Sequence, residues 1–184
     1  MQILAVSGSL RAGSFNSALA RAAVELAPEG VEIDVYEGLG ALPPYDADVD
    51  DEETPPAVEE LREHIAAADG LLVVTPEYNG SIPGVLKNAI DWASRPRHGA
   101  ALAGKTVAIA GATTGNYGAI WAQQDLRRVL GIAGARVTAG EVPVARAQHA
   151  FDEDLRLVDQ TVRERLEDHL LALVAEAVPE LVAA

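Results

Sequence analysis

The chain contains no cysteine. That absence excludes disulfides, thiolate-held metals and a cysteine nucleophile, and it fits a cytoplasmic setting. Cationic side chains are outnumbered: 14 Lys and Arg against 28 Asp and Glu leave a formal charge of −14. A chain so acidic, with no basic stripe, is not built to bind nucleic acid. No apolar run reaches the roughly 20 residues of a membrane span, and Met1-Gln2 enters an apolar segment without the basic region of a secretory signal. Histidines number four, His64, His98, His149 and His169. None has a partner at the i, i+4 spacing of a helical metal site, so no metal is expected and all four read as surface or capping residues. A G-x-S-x-G nucleophile elbow is also missing, which argues against a serine hydrolase.

What remains is a sequence of 184 residues, nearly half apolar, long enough to bury a core and expected to form one domain over residues 1–184. Apolar runs alternate with segments of helical periodicity. Strands are expected at Gln2–Ser7, Val31–Tyr36, Gly70–Thr75, Thr106–Gly111 and Arg136–Val142. Helices are expected from about Ser17 to Ala27, from Thr54-Pro55 as cap and first residue, over Gly84–Ser94, over Tyr117–Ile132 and over Asp152–Glu176. Arg95-Pro96-Arg97-His98-Gly99 breaks the third helix. Five strands alternating with five helices read as a doubly wound α/β sheet, helices on both faces, whose ligand lies above the carboxyl ends of the strands.

Three strand-to-helix loops carry the candidate chemistry. The first, Ser7-Gly8-Ser9-Leu10-Arg11-Ala12-Gly13-Ser14-Phe15-Asn16-Ser17, crowds hydroxyls, an amide and an arginine into one turn at a helix N-terminus. Free N–H groups, the helix dipole and a guanidinium fork favour a phosphate monoester there. Singly, the serines would be ordinary caps and Arg11 a solvated charge; together they favour phosphate. The second loop, Thr75-Pro76-Glu77-Tyr78-Asn79-Gly80-Ser81-Ile82-Pro83-Gly84, sets a carboxylate, a phenol and an amide in a backbone fixed by two prolines and two glycines. Tyr78 can pack under a flat aromatic ligand or against the core. Glu77 reads as an acid–base group, an arginine partner or a solvated carboxylate. A third loop, Gly111-Ala112-Thr113-Thr114-Gly115-Asn116-Tyr117-Gly118, offers small residues that let a planar ring approach the backbone.

The first loop and the segment Pro76-Glu77-Tyr78-Asn79-Gly80-Ser81-Ile82-Pro83-Gly84-Val85-Leu86-Lys87-Asn88-Ala89-Ile90-Asp91-Trp92 together resemble the NADPH-dependent FMN reductase family, a flavodoxin-like group that includes quinone, chromate and azo-dye reductases. The resemblance runs from Gln2 to about Leu157. It implies the strand order 2-1-3-4-5 and FMN as cofactor. It implies NADPH or NADH as hydride donor, flavin N5 as the relay, quinones or other small molecules as acceptors, and ping-pong kinetics. By the same resemblance Ser9, Arg11, Ser14, Asn16 and Ser17 hold the phosphate. Pro76, Glu77, Tyr78, Asn79 and Gly80 line the ring with Thr113, Thr114 and Gly115. No side chain is assigned as catalytic, because the flavin carries the chemistry. A homodimer or homotetramer is implied as well. The family commonly has an arginine near position 121 and an aromatic near 124. This chain has Trp121 and Gln124, so a contact built on that arginine is not carried over; Trp121 reads as a subunit anchor or as core. The alternative readings are a flavodoxin-type electron carrier and a flavin-binding protein without turnover.

Other motifs fall away. Gly99-Ala100-Ala101-Leu102-Ala103-Gly104-Lys105-Thr106 spells a phosphate-binding P-loop, but it precedes a strand instead of following one, so its N–H groups would not converge on phosphate. Asn79-Gly80-Ser81 spells a glycosylation acceptor without a signal to bring it to the enzyme. The acidic run Asp46 to Glu53 reads as a solvated loop and lacks the glycine and distal glutamate of a calcium loop.

Overall fold

A computed structural model describes residues 1–96 and 98–177. Its strands are β1 Gln2–Ser7, β2 Glu32–Tyr36, β3 Gly70–Val74, β4 Thr106–Ala112, β5 Arg136–Val137 and β6 Val142–Val144. Its α-helices are α1 Phe15–Glu25, α2 Ala47–Glu52, α3 Pro56–Ala67, α4 Gly84–Ala93, α5 Ile120–Ile132, α6 Ala147–Ala150 and α7 Gln160–Ala177. All strand pairs are parallel, in the order β2-β1-β3-β4-β5, with β6 also on the free side of β4. This is the flavodoxin-like order. The three central strands are buried along almost their whole length, as parallel strands covered on both faces must be. One apolar layer packs Leu61, Ile65, Leu86, Trp92, Leu126 and Leu130 from α3, α4 and α5 against one face. The other packs Leu19, Ala23, Leu166, Leu170 and Leu173 from α1 and α7 against the opposite face.

Several boundaries differ from the sequence reading, each for a local reason. Helix α1 begins at Phe15, because the buried Ser14 hydroxyl caps it, accepting from the N–H groups of Asn16 and Ser17. Thr54 does not cap α3; its hydroxyl donates to Asp50, and Pro55 occupies the cap position. The acidic run is not a plain solvated loop. Asp46 caps the short helix α2, and Asp50 takes a bidentate pair from Arg62 at 2.7 and 2.8 Å. That guanidinium holds the Asp50 carboxyl below its ordinary range. Strand five is split. Between β5 and β6 the chain turns through Gly140 at φ +78°, and Arg127 donates to the carbonyls of Thr138 and Gly140. The final helix starts at Gln160, not Asp152. Leu155 sits at φ +59°, and Asp152 Oδ1 accepts from the Arg156 N–H, which closes a turn there. His169 is not a surface residue: only 7 % of it is exposed, and burial lowers its pKa. Of the break after α4, Arg97 lies outside the described residues, as do 178–184 of the single-domain span.

The P-loop-like letters serve the fold. Lys105 donates its ammonium to the carbonyls of Ala66 and Ala68, the last carbonyls of α3. A cation there satisfies orphan acceptors and complements the helix dipole. It stands at the amino-terminal end of β4, where the strand begins. Lys105→Ala should therefore lower stability by about 1 kcal/mol, a charge-assisted contact discounted for partial exposure. It should leave flavin binding unchanged, and the wild type should show no magnesium-dependent ATP hydrolysis. Denaturant midpoints and phosphate release check both; ATP turnover lost in the mutant would restore the P-loop reading.

Candidate functional site

The carboxyl ends of β1, β3 and β4 carry the three loops to one edge of the sheet. The Gly8 N–H donates to Val74 O at 2.8 Å, and the Thr75 N–H to Ala110 O at 2.9 Å. These bonds extend the ladder one step beyond the strands and set the loops side by side. A cleft of about 120 Å³ opens among them. Ser9, Arg11, Ser14 and Asn16 line it from the first loop, Pro76, Glu77 and Tyr78 from the second, and Thr113 and Thr114 from the third. Nine of the thirteen residues expected at the site thus border one cleft. Phe15 and Ala112 border it too. Neither was expected, and the only signal for them was adjacency to the chosen polar residues.

The other four lie elsewhere. Ser17 faces an adjoining cavity and pairs its hydroxyl with that of Ser7 at 3.0 Å. Asn79 and Gly80, both at positive φ, form the tip of a tight turn closed by reciprocal bonds between Tyr78 and Ser81. Their contribution is to aim Tyr78, which is 48 % exposed along the cleft. The Gly115 carbonyl accepts from the Arg146 N–H, so its backbone secures the third loop.

Several side chains in the cleft are already committed. The Asn16 amide donates to Ala112 O at 2.9 Å and accepts from the Ala112 N–H at 2.8 Å, both bonds buried. It clamps the first loop to the end of β4. The Ser14 hydroxyl is taken by the α1 cap. Glu77 Oε2 accepts from the N–H groups of Trp121 and Ala122 at 3.1 and 3.2 Å. It caps α5, whose own cap position, Ala119, has no side chain to offer. A carboxylate on that helix end is held by the dipole and by two donors, which leaves it poorly placed to shuttle a proton. Ser81 supports the same arrangement by donating to Asp125 on α5. Gly118 is required beside it: at φ +59°, a Cβ would meet the Pro143 carbonyl carbon at 2.7 Å.

What is left open is backbone and one cation. Among the described residues, the N–H groups of Leu10, Ala12, Gly13, Ser14 and Phe15 find no protein acceptor. Arg11 makes only a long 3.4 Å contact to Gly13 O. Unpaired donors at a helix N-terminus beside a guanidinium suit a phosphate monoester. Pro76, Tyr78 and Thr113 line the part of the cleft where a ring would lie. The donor set therefore fits the phosphate and the ring of FMN.

Comparison with known proteins gives the same direction. The family model for NADPH-dependent FMN reductase matches residues 1–149. An NAD(P)H-dependent FMN reductase of Pseudomonas aeruginosa is 46 % identical over 174 residues, covering 94 % of this chain and 93 % of that protein. A quinone reductase of Escherichia coli is 48 % identical over 132 residues, 71 % of this chain and 69 % of that protein. The solved structure of a flavoenzyme NAD(P)H:(acceptor) oxidoreductase from Paracoccus denitrificans superposes with a TM-score of 0.83 at 33 % identity, covering 96 % of both chains.

The Asn16 clamp yields a test that separates structure from ligand contact. Asn16→Ala strands the Ala112 N–H and C=O in a buried place, at a cost on the order of 2–4 kcal/mol. Asn16→Asp should fare no better, since its second oxygen would oppose the Ala112 carbonyl. Denaturation of the ligand-free protein reads this; unchanged midpoints in both variants would reassign Asn16 as a direct ligand residue.

Proposed function

The chain belongs to the NADPH-dependent FMN reductase family, and from that premise we propose how its residues carry out the work of an FMN-dependent NAD(P)H oxidoreductase. Bound FMN supplies the hydride-accepting and hydride-donating atom, N5 of its ring. The protein supplies anchorage and exclusion. Arg11, Ser9 and the open N–H groups from Leu10 to Phe15 hold the phosphate. Pro76, Tyr78 and the backbone of Thr113 and Thr114 would confine the ring. Tyr78, half exposed, would flank the opening through which a second molecule reaches the ring. Glu77 fixes the second loop against α5 and takes no proton. The single observation that carries this reading is the cleft where all three loops meet with unpaired donors at one end.

Acceptors of the quinone type fit a slot shaped for planar rings. We propose a ping-pong order in which NAD(P)H and acceptor use the same opening in turn. We further propose a homodimer. The rings of Tyr117 and Trp121 meet at 4.9 Å, tilted by 57°, and stand 63 % and 48 % exposed beside the cleft. Trp121 is thus not core. An exposed aromatic pair of this size marks an anchor for a second subunit. No helix among the described residues is long and apolar enough to cross a membrane.

Two outcomes are expected. FMN should bind more tightly than riboflavin, and Arg11→Ala should remove most of the difference, on the order of 1.5–3 kcal/mol. Flavin fluorescence titration measures it, with anaerobic NAD(P)H bleaching as the companion test of turnover; equal affinities would sink the phosphate assignment, and no bleaching would favour a carrier. For assembly, Trp121→Ala should shift the protein toward monomer in a sedimentation dilution series. A wild type that stays monomeric when concentrated would refute the dimer.

A further inference from the structure

The roomiest hollow near the site is not the ring cleft. A cavity of about 270 Å³ lies on the β2 side of the first loop. Ser9 and Arg11 border both hollows, so a ligand held at the phosphate position can continue from one into the other. Arg21, one helical turn beyond Ser17 on α1, adds a second guanidinium to the wall. Glu37, the residue directly after β2, adds a carboxylate. Leu10 and Leu39 supply apolar surface.

Leu39 belongs to the core, but folding does not account for the exposed members of the set. In a chain with twice as many acids as bases, neither Arg11 nor Arg21 has an ion-pair partner among the described residues. Leu10 stands 58 % exposed although it lines a hollow. The chemistry of the wall is specific. Two guanidinium groups suit a phosphate. A carboxylate would repel a bare anion but accepts hydrogen bonds from a vicinal diol. Leucines suit the face of a base. An acid at the end of the second strand, beside a phosphate loop after the first, is the arrangement by which dinucleotide-binding sheets hold the adenosine ribose.

We propose that this cavity is a subsite for an adenosine phosphate, with Arg21 on the phosphate, Glu37 on the ribose hydroxyls and Leu10 against the base. The proposal rests on the FMN reading of the neighbouring cleft. Two sources present this chemistry to the protein: the adenosine half of NAD(P)H, and the AMP half of FAD in place of FMN.

The test uses the FMN-loaded protein, calorimetric titration and ADP as the probe, with inorganic phosphate as control. ADP should bind, and inorganic phosphate should compete poorly. Arg21→Ala and Glu37→Gln should each weaken ADP by about fivefold or more, as loss of a charge-assisted contact does. FMN affinity should stay within about twofold, because neither residue belongs to the cleft. If NAD(P)H is the source, KM for the nucleotide rises in Arg21→Ala while kcat holds. If FAD is the source, exchange of bound FMN for FAD weakens in Arg21→Ala instead. Absence of ADP binding overturns the subsite. So does ADP binding that neither substitution alters, or phosphate that competes as well as ADP. Failure of the wild type to retain FMN would strike the reductase reading; FMN retained without ADP binding strikes only this one.

Discussion

The geometry of the cleft depends on one amide. Asn16 lies 96 residues from Ala112, yet its side chain exchanges a donated and an accepted bond with that residue's backbone. Both groups of Ala112 sit where the central strand β4 ends, and water is excluded from them. The pair fixes how far the first loop stands from the third. It also fixes the first turn of α1, because Asn16 is simultaneously a donor to the capping Ser14 hydroxyl. A loop held this way needs little reordering when a ligand arrives, and preorganisation of that kind reduces the entropic cost of binding.

The N-termini of α1 and α5 both face the loops, and the protein treats them oppositely. At α5 the leading N–H groups are consumed by Glu77, whose charge offsets the positive helix end. At α1 the Ser14 cap uses two donors, but those just before it stay open and Arg11 stands over them without a carboxylate. The same dipole argument applies to both ends; internal neutralisation of one leaves the other as the end open to an external anion. In the proposed site FMN would accordingly lie with its phosphate toward α1 and its ring toward the loops that precede α4 and α5.

Much of the fold was legible because it is written in local pattern. The runs at Ile3–Val6, Leu71–Val74 and Val107–Ala110 announce strands covered on both faces, and the stripe Val58, Leu61, Ile65 announces α3. The loops were legible because polar residues cluster where such a strand stops. What could not be read is where side chains go once the chain is folded. Glu77 as a cap for α5, Asn16 as a clamp and Lys105 as a stop for α3 reach partners 44, 96 and 37 to 39 residues away. Local patterns carry no trace of such partners. His169 was misplaced for a related reason: a polar residue in a charged helix looks exposed until the helix is seen to turn that face onto β4.

The two ends of the sheet differ in how completely their polar groups are matched. At the amino end the terminal ammonium donates to Gly30 O, the Gln2 N–H to Asp69 and Lys105 to the α3 carbonyls. These backbone ends and charges are matched within the fold. At the carboxyl end the side chains brace one another while a row of backbone donors and two arginines stays unmatched among the described residues. Unmatched donors are affordable in that place only because solvent reaches them in the free protein, and each becomes a favourable contact once an anion displaces the water. The sequence spends its side-chain hydrogen bonds on holding the loops still, which leaves recognition to backbone N–H groups and guanidinium forks. A site made in this way selects by shape and charge and leaves redox chemistry to its cofactor, so a flat phosphorylated ring suits it better than a substrate that must be deprotonated by the protein.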